Sequence, residues 1–126
     1  DMMPPILYSM AKDWCERQDT PAYSWYFERK LPGDNHGAWH SSDLWYWFGT
    51  LENSWRPFTE RDEEISDLMT DYLTNFAKTG DPNGEDLPTW ETGEESMRLG
   101  GKKDKMGKPS TLKQVVTMLT NHAPGE

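Results

Sequence analysis

Of the three histidines in this 126-residue chain, His40 stands where chemistry is expected. It ends a loop that follows an apolar, ring-rich stretch and precedes a helical pattern. In open α/β sheets, sites gather outside the carboxyl ends of strands. An imidazole there can serve as general base toward a nucleophile, provided a carboxylate holds its other ring nitrogen. The plain alternative is a loop histidine hydrogen-bonded within a turn. His36 lies four residues earlier, the spacing of a zinc-binding pair on a helix. The intervening Gly37 and the turn residues before it argue against a helix, and no third ligand is in view, so no metal is expected. Asp81, Asn83, Glu85 and Asp86 resemble part of a calcium loop, but the glycine is misplaced and the twelfth position is Thr92, so a solvated turn is the better reading. His122 falls near the chain end.

What is missing also directs the reading. The chain has no G-x-S-x-G nucleophile elbow, no G-x-G-x-x-G and no Walker loop. A histidine base without a nucleophile cannot run acyl transfer by itself. Seven tryptophans raise the question of a stacking surface for carbohydrate. Most fall on apolar stripes or in a strand, so core packing is expected for at least half. Trp39, beside His40, and Trp55 are the candidates for a ligand wall.

The elements that must position these residues follow from periodicity. Pro4 to Arg17 reads as a helix with Ile6, Leu7, Met10, Ala11 and Trp14 on one stripe. Ala22 to Arg29 reads as a strand with bulky rings on both faces, the pattern of a strand buried on both sides. Few other strands are in view to pair with it. Leu31 to His40 is loop, and Ser41 or Ser42 can cap a short helix carrying Leu44, Trp45, Phe48 and Leu51. The clearest helix runs from Thr59 to Thr79. Thr59 and Asp62 have capping-box spacing, and Ile65, Leu68, Met69, Tyr72, Leu73, Phe76 and Ala77 form its stripe. Gly80 sits where a left-handed cap belongs. A short strand is expected at Ser96 to Leu99, a loop or hairpin at Gly100 to Lys108, and a last helix at Ser110 to Asn121.

Composition narrows the partners. Thirteen Lys+Arg against 22 Asp+Glu give a net charge of −9. That argues against nucleic acid and against an anionic membrane surface. The mean hydropathy is −0.94, yet the tryptophans, tyrosines and phenylalanines are more than a disordered acidic chain would carry. The single cysteine, Cys15, excludes an internal disulfide and a cysteine metal cluster, and leaves a cytoplasmic or a secreted setting equally open. No run reaches the length of a transmembrane helix. The chain opens at Asp1 rather than Met, which suggests a piece of something longer.

Two motifs in order carry a resemblance. Gly37-Ala38-Trp39-His40-Ser41-Ser42-Asp43-Leu44, continuing to Phe48-Gly49, resembles the catalytic-histidine segment of type-B carboxylesterases, the cholinesterase-like α/β-hydrolases. Asn75 to Gly84, followed by Leu87-Pro88 and Trp90, is similar to a helix-and-turn signature of the same family, and Tyr23 to Phe27 leading into Leu31-Pro32-Gly33 resembles the strand before the histidine. The resemblance runs from about Pro4 to Leu119.

It implies an α/β fold: a C-terminal segment of an α/β-hydrolase over 1–126, incomplete on its own, mainly helices around one or two strands. It also implies a part of a serine carboxylesterase acting on a small ester. His40 would be the base, the serine and acid would lie upstream, and no cofactor would be needed. Asp43 stands where that family usually has Glu, a position that is not the triad acid. The partner would be the remainder of the esterase chain. The apolar faces of Tyr23, Trp25, Phe27, Tyr72 and Phe76 would be bared in isolation, so self-association is expected. Two other classes stay open: a non-catalytic module binding through an aromatic surface, and an inactive cholinesterase-like homologue.

Overall fold

Aromatic side chains pack well on a pleated surface, and β1 forms on three of them in a row, while β2 and β3 each bring a methionine to the sheet. In the computed structural model, which describes residues 9–10, 13–92 and 95–107, β1 is Trp25–Phe27, β2 is Ser96–Leu99 and β3 is Lys105–Gly107. The sheet order is β1-β2-β3. β1 runs parallel to β2, with Trp25 opposite Met97 and Phe27 opposite Leu99. β2 and β3 form an antiparallel hairpin with Met97 opposite Met106. The strand expected over Ala22 to Arg29 is thus shorter, although its ladder bonds reach Ser24 and Glu28. It is also not short of neighbours: β2 comes from far along the chain to pair with it.

The sheet is tightly drawn at one point. Gly100, which ends β2, has φ of 86°. A Cβ there would stand 2.6 Å from Arg29 Cβ and 2.9 Å from Arg29 N, so only glycine lets the two backbones pass.

Helix α1 is Leu44–Trp47, followed by a single 3-10 turn at Leu51–Asn53. The residue flanking α1 is Asp43, without a side-chain cap; neither Ser41 nor Ser42 takes that role. Helix α2, Glu60–Thr79, begins and ends as its sequence implies. Thr59 N–H and Oγ1 donate to Asp62 Oδ2 at 2.8 and 2.7 Å. Gly80 closes the helix at φ of 78°, its N–H donating to Phe76 O at 2.7 Å.

The core gathers where α1 and α2 meet the sheet. Tyr46, Ile65, Met69, Tyr72, Met97 and Leu99 are wholly inaccessible, with Leu31, Leu51 and Trp90 beside them. Tyr72 is therefore buried, against the expectation that its face would be bare, and Tyr23 and Phe27 are half-buried. Trp25 and Phe76 remain exposed, as expected. Residues 13–17 are helical, and Met10 and Trp14 are exposed. The rest of the expected first helix, and the last helix over Ser110 to Asn121, lie outside the described residues. Among the described residues, no helix is long and apolar enough to cross a membrane.

Candidate functional site

The loop between β1 and α1 carries His40, and a half-buried arginine lies at each of its flanks. Arg29 leaves β1 and turns onto the amino end of α2. Its Nε and Nη2 donate to Asp62 Oδ1 and Oδ2 at 2.7 and 3.1 Å. Tyr46 of α1 donates its hydroxyl to the same Oδ1 at 2.8 Å. One carboxylate thus ties β1, α1 and α2 together. Burial pushes the Asp62 pKa up, but the donors Arg29, Thr59 and Tyr46 outweigh it and hold it at about 2. The Tyr46 hydroxyl is driven far up, first by burial and then by its hydrogen bond to Asp62.

Further along, Pro32 to Asn35 form the turn that their types require. Arg56, from the stretch after the 3-10 turn, donates from Nη1 to Pro32 O at 2.8 Å and from Nη2 to Asp34 Oδ2 at 2.5 Å. Asp34 Oδ1 accepts the His36 N–H at 3.0 Å. The Arg56 hydrogen bond first, and that N–H second, pull the Asp34 pKa down. The Trp55 indole comes close to the turn: a Cβ on Gly33, whose φ is 102°, would stand 3.0 Å from its six-membered ring. The loop is then clipped shut by Ser42. Its buried Oγ accepts the Trp39 N–H at 3.2 Å, and its own N–H donates to Trp39 O at 3.0 Å.

His40 and Trp39 both sit at the tip of this loop and both are exposed. His40 Nδ1 lies 2.7 Å from Ser41 Oγ, and Ser41 takes the left-handed backbone at φ of 66°. Among the described residues no carboxylate makes an ion pair with His40. The Trp39 ring centre is 5.9 Å from Arg56 Cζ, and the Trp55 ring centre is 4.9 Å from it on the same cation.

The other sequence candidates separate from this loop tip. His36 uses its backbone in the turn, and the described residues hold no cluster of three or more groups able to bind a metal ion. Asp81 Oδ1 accepts Asn83 N–H and Nδ2 at 2.9 and 2.8 Å, an Asx turn. Asn83 in turn clamps both backbone groups of Trp90.

Core packing takes fewer tryptophans than expected. Trp90 is buried and Trp45 and Trp47 pack on the core, but Trp14, Trp25, Trp39 and Trp55 are exposed. Of these only Trp25 lies in a strand, and Phe27, two residues on and on the same face of β1, packs on Tyr46 while Trp25 stays exposed. Trp25 instead meets Trp47 and Trp90 edge-on, at 76° and 81°. These rings line an apolar cleft of about 440 Å³ with Leu44, Phe48, Leu73 and Phe76, and neither His40 nor Trp39 reaches it.

Arg29, Tyr46 and Arg56 were not legible as parts of a site. Only the Asp62 cap pointed toward the first cluster, and nothing in the spacing pointed to Arg56.

With this geometry in view, the similarities to known proteins can be placed. The sequence model described as "Carboxylesterase family" matches residues 5–116. Human bile salt-activated lipase is 42% identical over 86 residues, covering 64% of this chain and 11% of the lipase. Bovine carboxylesterase 4A is 34% identical over 80 residues, covering 56% of this chain and 14% of that protein. The chain thus spans only a small part of the curated relatives it matches. Among solved structures, an esterase from anaerobic Clostridium hathewayi, described as able to hydrolyse aliphatic aromatic polyesters, superposes with a TM-score of 0.67 at 23% identity, covering 81% of this chain and 22% of that one. A PNB esterase superposes with a TM-score of 0.61 at 22% identity, covering 79% and 22%. The architecture they share with this chain is that of the α/β-hydrolase fold.

Proposed function

The chain belongs to the carboxylesterase family, and from that premise we propose that it supplies the catalytic histidine, His40, of a serine carboxylesterase. The observation that carries the reading is the placement of His40. It is an exposed imidazole on a braced loop, leaving the carboxyl end of a strand that pairs in parallel.

The proposed chemistry is acyl transfer. His40 takes the proton of a serine hydroxyl as that oxygen attacks the ester carbonyl. The tetrahedral intermediate collapses, and the imidazolium returns the proton to the leaving alcohol. Water, deprotonated by the same imidazole, then releases the acid from the acyl-enzyme. A triad carboxylate would hold Nδ1, the nitrogen that here meets the exposed Ser41 hydroxyl. Serine and acid are proposed to come from the remainder of a longer chain, which is this segment's partner. The 126 residues alone are proposed to be inactive and to self-associate through the exposed apolar face. Trp39, beside His40, is proposed to wall the ester site.

The test is hydrolysis of a p-nitrophenyl ester by the full-length protein and by this chain, each with and without His40→Ala. The expected result is a loss of about a thousandfold or more in the long protein on substitution, with no specific activity in the short chain. An unchanged rate in the long His40→Ala variant overturns the assignment.

A further inference from the structure

We propose that Arg56 is a positioning residue for His40, a clasp that joins the start of the histidine loop to its tip. The proposal rests on the reading of His40 as the base.

The loop has little to hold it by itself. Gly33, Gly37 and Ser41 all adopt positive φ, and residues 28–39 contain no helix or strand. A loop of this kind samples many backbone states unless other elements restrict it. Arg56 supplies the restriction from outside. Its side chain is only 9% exposed, and its contacts span the loop. Nη1 and Nη2 bind Pro32 O and Asp34 Oδ2, at the loop's start. The Cζ of the same guanidinium lies over the ring of Trp39, 5.9 Å from its centre, and Trp39 shares a peptide bond with His40. Trp55 covers the group on a further side.

Only arginine suits this arrangement. A planar fork can address the Pro32 carbonyl and the Asp34 carboxylate from two nitrogens at fixed angles while its carbon lies over a ring, a span that the compact point charge of an ammonium does not reproduce. If the clasp opens, the Trp39 ring and the start of the loop lose their tie to each other, the Ser42 clip is left to hold the Trp39 backbone, and His40 is less closely held. General-base catalysis is steep in distance, and displacement by about 1 Å can cost about a hundredfold.

The experiment uses the full-length protein with a p-nitrophenyl ester. Active sites are counted by titration with a covalent serine reagent, so that loss of folded enzyme is separated from loss of rate. Arg56→Lys is expected to lower kcat per titrated site by about 10- to 100-fold, with a smaller rise in KM from the loosened Trp39 wall. Added guanidinium is expected to recover part of the rate in Arg56→Ala. Asp34→Asn keeps the fork and the stacked rings but removes the charge, and serves if the arginine variants do not fold; a loss of about threefold to tenfold per site is expected. A normal kcat per site in Arg56→Lys, or in Asp34→Asn where the former does not fold, overturns the clasp. His40→Ala, run alongside, separates the two claims. If it is inactive while the Arg56 and Asp34 variants are normal, only the clasp fails. If it is fully active, the role of His40 fails and the clasp with it.

Discussion

At its amino end the inner face of α2 is closed by other elements, and at its carboxyl end the same apolar stripe is bare. Asp62 in the first turn is inaccessible, and its two oxygens receive Arg29, Tyr46 and Thr59. Ser66, one turn on, donates its hydroxyl to Tyr46 O at 2.9 Å. Past Tyr72 the stripe continues unchanged in type, but Leu73 and Phe76 are 42% and 48% exposed. The sequence pattern is equally apolar in both halves. The difference lies in what the rest of the chain brings to them. The amino half meets β1, α1 and the β2–β3 turn, whose Asp104 accepts Arg61 at 2.8 Å. The carboxyl half borders the cleft, where Phe76 touches Tyr23 edge-on at 6.2 Å. A helix stripe states that a face wants covering, and tertiary contacts decide whether it is covered.

That contrast can be broken by substitution. The largest effect is expected for Asp62→Ala. Removing one partner of a buried pair leaves a charge without compensation, and the loss should be about 3 kcal/mol, the low end for such pairs because the Arg29 side chain is 22% exposed. Urea unfolding at fixed protein concentration measures it. Adding Arg29→Met should restore part of the loss, since the orphaned cation is then gone.

A smaller effect is expected from acid. In the folded protein the Asp62 carboxyl is held at about 2, against an ordinary 3.8. Its donors therefore contribute fully above about pH 4, and their contribution fades as the pH falls toward 2. The unfolded chain takes up the proton first, so about 2 kcal/mol should be lost across that window. Unfolding midpoints measured from pH 5 to 2 should fall less steeply in Asp62→Asn than in the wild type.

The smallest effect on stability is expected at the bare end. Phe76→Gln removes a half-exposed ring and should change stability by no more than about 1 kcal/mol. It should at the same time reduce self-association in sedimentation. A loss as large as that of Asp62→Ala would mean that the two ends of α2 are not different after all.

Much of this architecture was readable before any coordinates. Thr59, Asp62 and Gly80 mark the ends of α2 because capping is local: the groups that satisfy a helix terminus lie within a few residues of it. The same holds for the strand at Ser96–Leu99 and the hairpin after it, where Gly100 and Gly101 form the turn. The strand at Trp25–Phe27 was found but given two buried faces, because its rings do not say whether a neighbouring layer exists. Ser42 was read as a cap and serves instead as the clip on Trp39, one of several local bonds the same hydroxyl can make.

The sequence by itself determined the helix ends, the loop that carries His40, and the family motif around it. All of these depend on residues close together in the chain. Tertiary structure alone decided that Arg29 reaches Asp62 and that Arg56 spans from Pro32 to Trp39. Those partners are separated by long stretches of chain, and no spacing rule links an arginine to a distant acceptor. The buried environment that makes such pairs consequential exists only once the layers have closed around them.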